Sequence, residues 1–179
     1  LSIGEGGNDA AIVVWGTGNY ETDSISQHPK LHFYGIADST RSVDNYAAIS
    51  GNGQDRSYTY IYIYDGAELT SNGHALYVPQ PGDVYISGGT LTGSGAIGMK
   101  SGKLVITGGT LIATGEYDEN IQTNSNGIEN DGSVINIDSN SSYAGEMIIE
   151  IGGDAVLRST NGHAIREIGK DEDQTSVVS

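Results

Sequence analysis

IYIYDGAEL (residues 61–69), VYISGGTL (84–91) and LVITGGTL (104–111) are three versions of one phrase: an apolar residue, any residue, isoleucine, three turn-formers, then a small residue. A fourth version, IEIGGDAV, occupies residues 149–156. The shared isoleucines are 23 residues apart from Ile63 to Ile86, 20 from Ile86 to Ile106 and 45 from Ile106 to Ile151. The last interval reads as two periods. A period of 20–23 built from strand-like words and glycine corners predicts an all-β chain in which each repeat is one coil of a β-solenoid.

A second phrase follows the first. NGHAL (72–76), GSGAI (93–97), SNGI (125–128) and NGHAI (161–165) each turn through Asn or Gly into a small-then-apolar pair, and NYAAI (45–49) and NDAAI (8–12) extend the series upstream. Each coil therefore reads as three short strands separated by corners whose residues tolerate positive φ. Helical periodicity is absent, and 27 glycines would weaken any helix. Strand alternation sends Ile61, Ile63, Val84, Ile86, Leu104, Ile106, Ile149 and Ile151 inward, with Leu31 and Phe33 joining them by alignment. Residues 134–137 supply either the first strand of a coil hidden in the 45-residue interval or one arm of a local hairpin with 147–151. Pro79-Gln80-Pro81-Gly82 is a stiff corner that needs no backbone donor.

The 179 residues make one domain, 1–179, of about eight coils and a rod about 35 to 40 Å long by strand spacing. Both ends stop within the repeat pattern, which suits a segment of a longer protein with flanking domains as neighbours. Hydrophobic content of 36% is enough for a solenoid, which needs only alternate residues inside. A net charge of −15 argues against nucleic acid and anionic membranes as partners, and no apolar run is long enough for membrane insertion. Neutral glycans, cations and basic proteins remain. With no cysteine in the chain, an extracellular, secreted or cell-surface location is expected.

The phrases ISGGTL, ITGGTL and IGGDAVLRSTNGHAI resemble the right-handed parallel β-helix repeats of large secreted or wall-attached bacterial proteins, and more distantly the pectate-lyase-like superfamily. The resemblance spans residues 31–165 and concerns the coil, not a chemistry. It implies glycan-related work, which in such families ranges from polysaccharide lyases and glycoside hydrolases to adhesins and carbohydrate-binding modules.

Catalysis finds little support. A lyase or hydrolase would need carboxylates and a base converging on one cleft, and the outward first-strand positions offer only Asp83, Lys103 and Glu150. Asp83 and Lys103 read as a surface ion pair. His74 and His163 recur in one slot about four coils apart, too far to share a metal, and read as exposed corner residues. Calcium has its best candidates in the acidic insertion at 115–126, at Glu116, Asp118 and Glu119, with Asp171, Glu172 and Asp173 as a second oxygen-rich corner. No other cofactor is implied.

The aromatics are more informative, because 11 of them are tyrosine, against one Phe and one Trp. In YIYIY, Tyr60, Tyr62 and Tyr64 point outward, Tyr85 aligns beside Tyr62, and His32 and Tyr34 align on the other side. These six residues predict a flat patch of rings. Tyrosine offers an apolar face to the C–H side of a sugar and a hydroxyl to its polar edge, so a polysaccharide or glycan is the expected partner. Two function classes stay open: a non-catalytic carbohydrate-binding or adhesive module, and a structural stalk or protein-binding segment with the patch covered by a partner.

Overall fold

A computed structural model describes residues 10–14, 28–40, 47–51, 58–117, 132–138, 146–168 and 176–178. These residues are all-β, without a helix, and every strand pairing among them is parallel. The first sheet has the order β1 (Ile12–Val14), β4 (Ile49–Gly51), β7 (His74–Val78), β9 (Gly95–Met99), β11 (Ile135–Asp138) and β14 (Ile165–Ile168). The second has the backbone order β15 (Ser176–Val178), β12 (Met147–Ile151), β10 (Gly102–Ala113), β8 (Gly82–Gly93), β5 (Thr59–Ile63) and β2 (Lys30–Phe33). Three short strands complete it: β3 (Ile36–Asp38) and β6 (Glu68–Thr70) pair with each other, β6 also pairs β8, and β13 (Val156–Ser159) pairs β10.

The repeated phrase sets the register. Ile63, Ile86, Ile106 and Ile151 are successive partners, as are Ile61, Val84, Leu104 and Ile149. Because side chains alternate between faces, this register stacks apolar residues of like shape on one side of the sheet. One buried apolar cluster joins them to Ile49, Leu76, Ile97, Met99 and Ile135 of the first sheet. Ile151, toward the end of that stack, is only partly buried. Phe33 is buried and Leu31 half-buried, while His32 and Tyr34 face out as alternation predicts.

The structure changes three expectations. In β8 and β10 the first and second strands are one strand of 12 residues, which passes its Gly-Gly corner through register shifts at Ile106/Gly108 and Gly108/Thr110 and does not break. The 45-residue interval hides no extra coil, since β10 pairs β12 directly. Residues 134–137 belong to neither reading offered by the sequence: Ile135 and Ile137 lie in β11 of the first sheet, flanked in parallel by β9 and β14. The interval is long because the spacing of aligned residues grows on both sides of β11: 38 residues separate Ile97 from Ile135 and 10 separate Ile137 from Met147, against 21 from Leu76 to Ile97 and 3 from Met99 to Gly102. Gln80, in the stiff corner, is fully buried and donates through Nε2 to Thr59 Oγ1 at 3.1 Å.

The two sheets treat solvent differently. Strands β7 and β9 are buried at every residue, whereas β8 and β10 alternate buried and accessible positions. An accessible strand face that can meet a ligand is therefore offered by the second sheet.

Candidate functional site: a tyrosine ladder and the step at its end

The outward positions of β2, β5, β8, β10 and β12 form columns through the second sheet. One column runs His32, Tyr62, Tyr85, Val105, Glu150. A parallel in-register sheet repeats the same side-chain direction at every strand, so aromatic neighbours stack face to face at about the strand spacing of 4.8 Å. The rings obey this. His32 and Tyr62 have centroids 4.5 Å apart with planes 5° from parallel, and Tyr62 and Tyr85 follow at 5.1 Å and 9°. Beside them Tyr34 stacks on Tyr64 at 4.3 Å and 5°, and His32 Nδ1 lies 2.8 Å from the Tyr64 hydroxyl.

The six predicted residues are thus brought together, but not as a flat patch. The rings stand on edge and spend their faces on each other. Tyr62 has a ring on both sides. Tyr60 departs further from the exposed position expected of it: it points outward yet is only 8% exposed. The rings of Tyr58 and His28 pack against it at 5.3 and 6.3 Å, and Lys30 Nζ lies 5.6 Å from its centroid. Alternation assigns a side chain to a face but does not reveal what covers it.

At the other end of the ladder lie His32 on β2, the last strand of the sheet, and Tyr34 just after that strand, 62% exposed; toward β10 two more ring faces are left open. The partner of Tyr85 on β10 is Val105, too short to reach along the ring. Ser87 follows Ile86, the partner of Ile63, and so stands beside Tyr64 as an exposed residue where the ladder would need another ring. The ladder ends in a step, with Tyr64 and Tyr85 as its wall and Ser87, Val105 and Thr107 as its floor. The hydroxyls of Ser87 and Thr107 donate to the carbonyls of Ile63 and Ile86 at 3.4 and 3.5 Å, long bonds that leave their lone pairs available.

Asp83 anchors the wall. It accepts the Tyr58 hydroxyl at 2.6 Å and the Tyr85 hydroxyl at 3.2 Å. Burial, and then the adjacent Asp83 carboxylate, push the Tyr85 phenol up to about 12. Burial and the Asp83 hydrogen bond raise Tyr58 as well, and burial raises Tyr60. The expected Asp83–Lys103 ion pair is replaced by one between Lys103 and Glu150 at 2.8 Å, because the two tyrosines already occupy the Asp83 carboxylate. Asp83, Lys103 and Glu150 therefore do not converge on a cleft.

Other candidates are placed apart. His74 is buried, at 5% exposure in the middle of the first sheet, and stacks on Tyr77; the expectation of an exposed corner fails there because β7 is covered on both faces. His163 is exposed and meets the edge of Tyr117 at 5.1 Å. Glu116 is exposed, with Asn161 Nδ2 at 3.5 Å from its carboxylate, while Asp118 and Glu119, like Asp171, Glu172 and Asp173, lie outside the described residues. Among the described residues no group of three or more His, Asp or Glu side chains is placed to hold a metal ion.

A groove of about 610 Å³ adjoins the step, and reading strand positions alone misses it. It lies along the glycine corners and is lined by segments 65–68, 87–90 and 109–110 together with Asp154. Its signal in the sequence was the Gly-Gly phrase itself: glycine at successive aligned positions is a row of absent side chains. Compared with known proteins, the chain matches no family model, no curated protein and no solved structure. The reading of the site therefore rests on its geometry.

Proposed function

We propose that the chain winds as a right-handed parallel β-helix of 20 to 23 residues per coil and serves as a non-catalytic carbohydrate-binding or adhesive module of a bacterial extracellular or cell-surface protein. The observation that carries this reading is the step, where two tyrosine faces stand open over a floor of hydroxyls. A sugar ring laid on Tyr85 or Tyr64 would continue the ladder as its next rung, with its C–H face on the phenol and its hydroxyls toward Ser87 and Thr107. The charge of −15 agrees with a polymer partner that carries no anionic groups.

A second reading, a structural stalk, is favoured by the self-stacking of the rings, since a ladder that consumes its own faces stabilises parallel strands whether or not anything binds. A pull-down on insoluble neutral polysaccharides separates the two. The glycan reading predicts weak, salt-insensitive retention that is lost in a Tyr64→Ala/Tyr85→Ala double variant that stays folded. Wild-type protein that passes through every polysaccharide leaves the stalk.

A further inference from the structure

The groove beside the step has a floor of backbone and carboxylates in its walls. Gly88 permits this at one end, where a Cβ would come within 2.7 Å of the Asp65 Cα. Gly108 permits it at the other, where a Cβ would come within 2.8 Å of Asp154 Oδ1, so that the carboxylate can lie across the corner. Gly89 and Gly109 hold φ of 86° and 93°, which shapes the same floor on neighbouring strands. Ser87, Thr90 and Thr110 contribute hydroxyls, and Asp65, Glu68 and Asp154 contribute carboxylates; among the described residues no lysine, arginine or histidine lines the groove. Its lining comes from four successive repeats, about 14 Å along the stacking direction, and its near end meets the step at Ser87 and at Asp65, the residue after Tyr64.

We infer that this groove makes the site selective for glycans bearing free amino groups, polymers of the glucosamine type, and closes it to uronates. The inference rests on the glycan reading above and adds the charge of the sugar. Stacking on Tyr64 and Tyr85 selects a ring's apolar face with little regard to its charged substituents, so discrimination must come from what the neighbouring sugars meet. In the groove they meet hydroxyls and three carboxylates. An ammonium group there forms a charge-assisted hydrogen bond to Asp65, Glu68 or Asp154, whereas a uronate meets like charge wherever it lies.

Calorimetric titration with three hexasaccharides, of glucosamine, N-acetylglucosamine and galacturonate, tests this at about pH 5.5, below the pKa of the sugar amine. The glucosamine hexamer is expected to bind about tenfold or more tighter than its acetylated counterpart, with an advantage that shrinks in high salt, and the galacturonate hexamer not at all. An Asp65→Asn/Glu68→Gln/Asp154→Asn variant, all three residues being exposed, should stay folded and bind the two amino-sugar hexamers alike. Equal affinities in the wild type, or a preference that survives in the variant, would overturn the inference and leave the glycan reading standing. Binding of none of the three by the wild type would overturn both.

Discussion

Ile86→Ala removes a side chain that is 1% exposed and stacked between Ile63 and Ile106 in the register on which the whole second sheet depends. Three carbons leave the core, worth about 2.4 kcal/mol at about 0.8 kcal/mol each. Neighbouring strands are pinned above and below by their own hydrogen bonds, so the site collapses poorly and the residual cavity raises the cost to about 3 to 4 kcal/mol. For a chain of this length about 1 kcal/mol shifts Tm by about 2 to 4 °C, so the variant should melt about 6 to 16 °C below wild type. Far-ultraviolet circular dichroism on heating reads the shift. Val105→Ala, one residue before the stacked Ile106 and on the opposite face, is the control and should cost less than about 1 kcal/mol. A shift within about 2 °C for Ile86→Ala, or a larger one for Val105→Ala, would reverse the assignment of faces and refute the register.

Tyr62→Ala should lower stability by about 1 to 2 kcal/mol through the loss of two stacking partners, while Tyr85→Ala should weaken glycan retention more than it lowers Tm; equal behaviour of the two in both assays would deny the ladder an end. Gly89→Ala forces a Cβ to 2.7 Å from the Ala67 carbonyl at a φ of 86° and should cost about 1 to 3 kcal/mol by chemical denaturation, against a few tenths for an alanine at the open Gly152. Stability should respond to alkali: Tyr85 holds its proton to about 12 in the fold and to about 10 unfolded, so its contribution is intact below about pH 10 and lost as pH rises to about 12. Tyr85→Phe should flatten that part of the Tm against pH curve. Lys103→Ala breaks an ion pair whose two side chains are 35% and 45% exposed and should change stability by less than about 1 kcal/mol.

Much of the fold was legible because the phrase at 61–69, 84–91 and 104–111 repeats both its apolar residues and its glycines, and in a parallel sheet identical words align. The 45-residue interval is not two periods, because counting assumes a constant period and extra residues on both sides of β11 stretch one repeat. Ile135 and Ile137 lack the Gly-Gly phrase for a physical reason: β11 is a first-sheet strand with no such corner to turn. Grouping of Tyr34, Tyr62, Tyr64, Tyr85 and His32 followed from alternation and alignment. Their edge-on stacking also follows from in-register pairing, yet the burial of Tyr60 depends on His28 and Tyr58, which precede the strand words. The role of Asp83 depends in part on an i, i+2 contact with Tyr85 within β8, which alternation allows, and in part on the reach of the Tyr58 phenol from the neighbouring repeat, which no spacing encodes.

An NMR chemical-shift titration of the isotope-labelled protein with the glucosamine hexamer reports on the central claim residue by residue. Binding at the step and groove predicts saturable shifts in the Tyr64 and Tyr85 rings and in the backbone amides of Ser87, Gly88, Gly89, Thr90 and Thr110, with Leu76 and Ile97 of the first sheet unmoved. Shifts that instead gather around Glu116, Tyr117 and His163, or no shifts at saturating sugar, would contradict it.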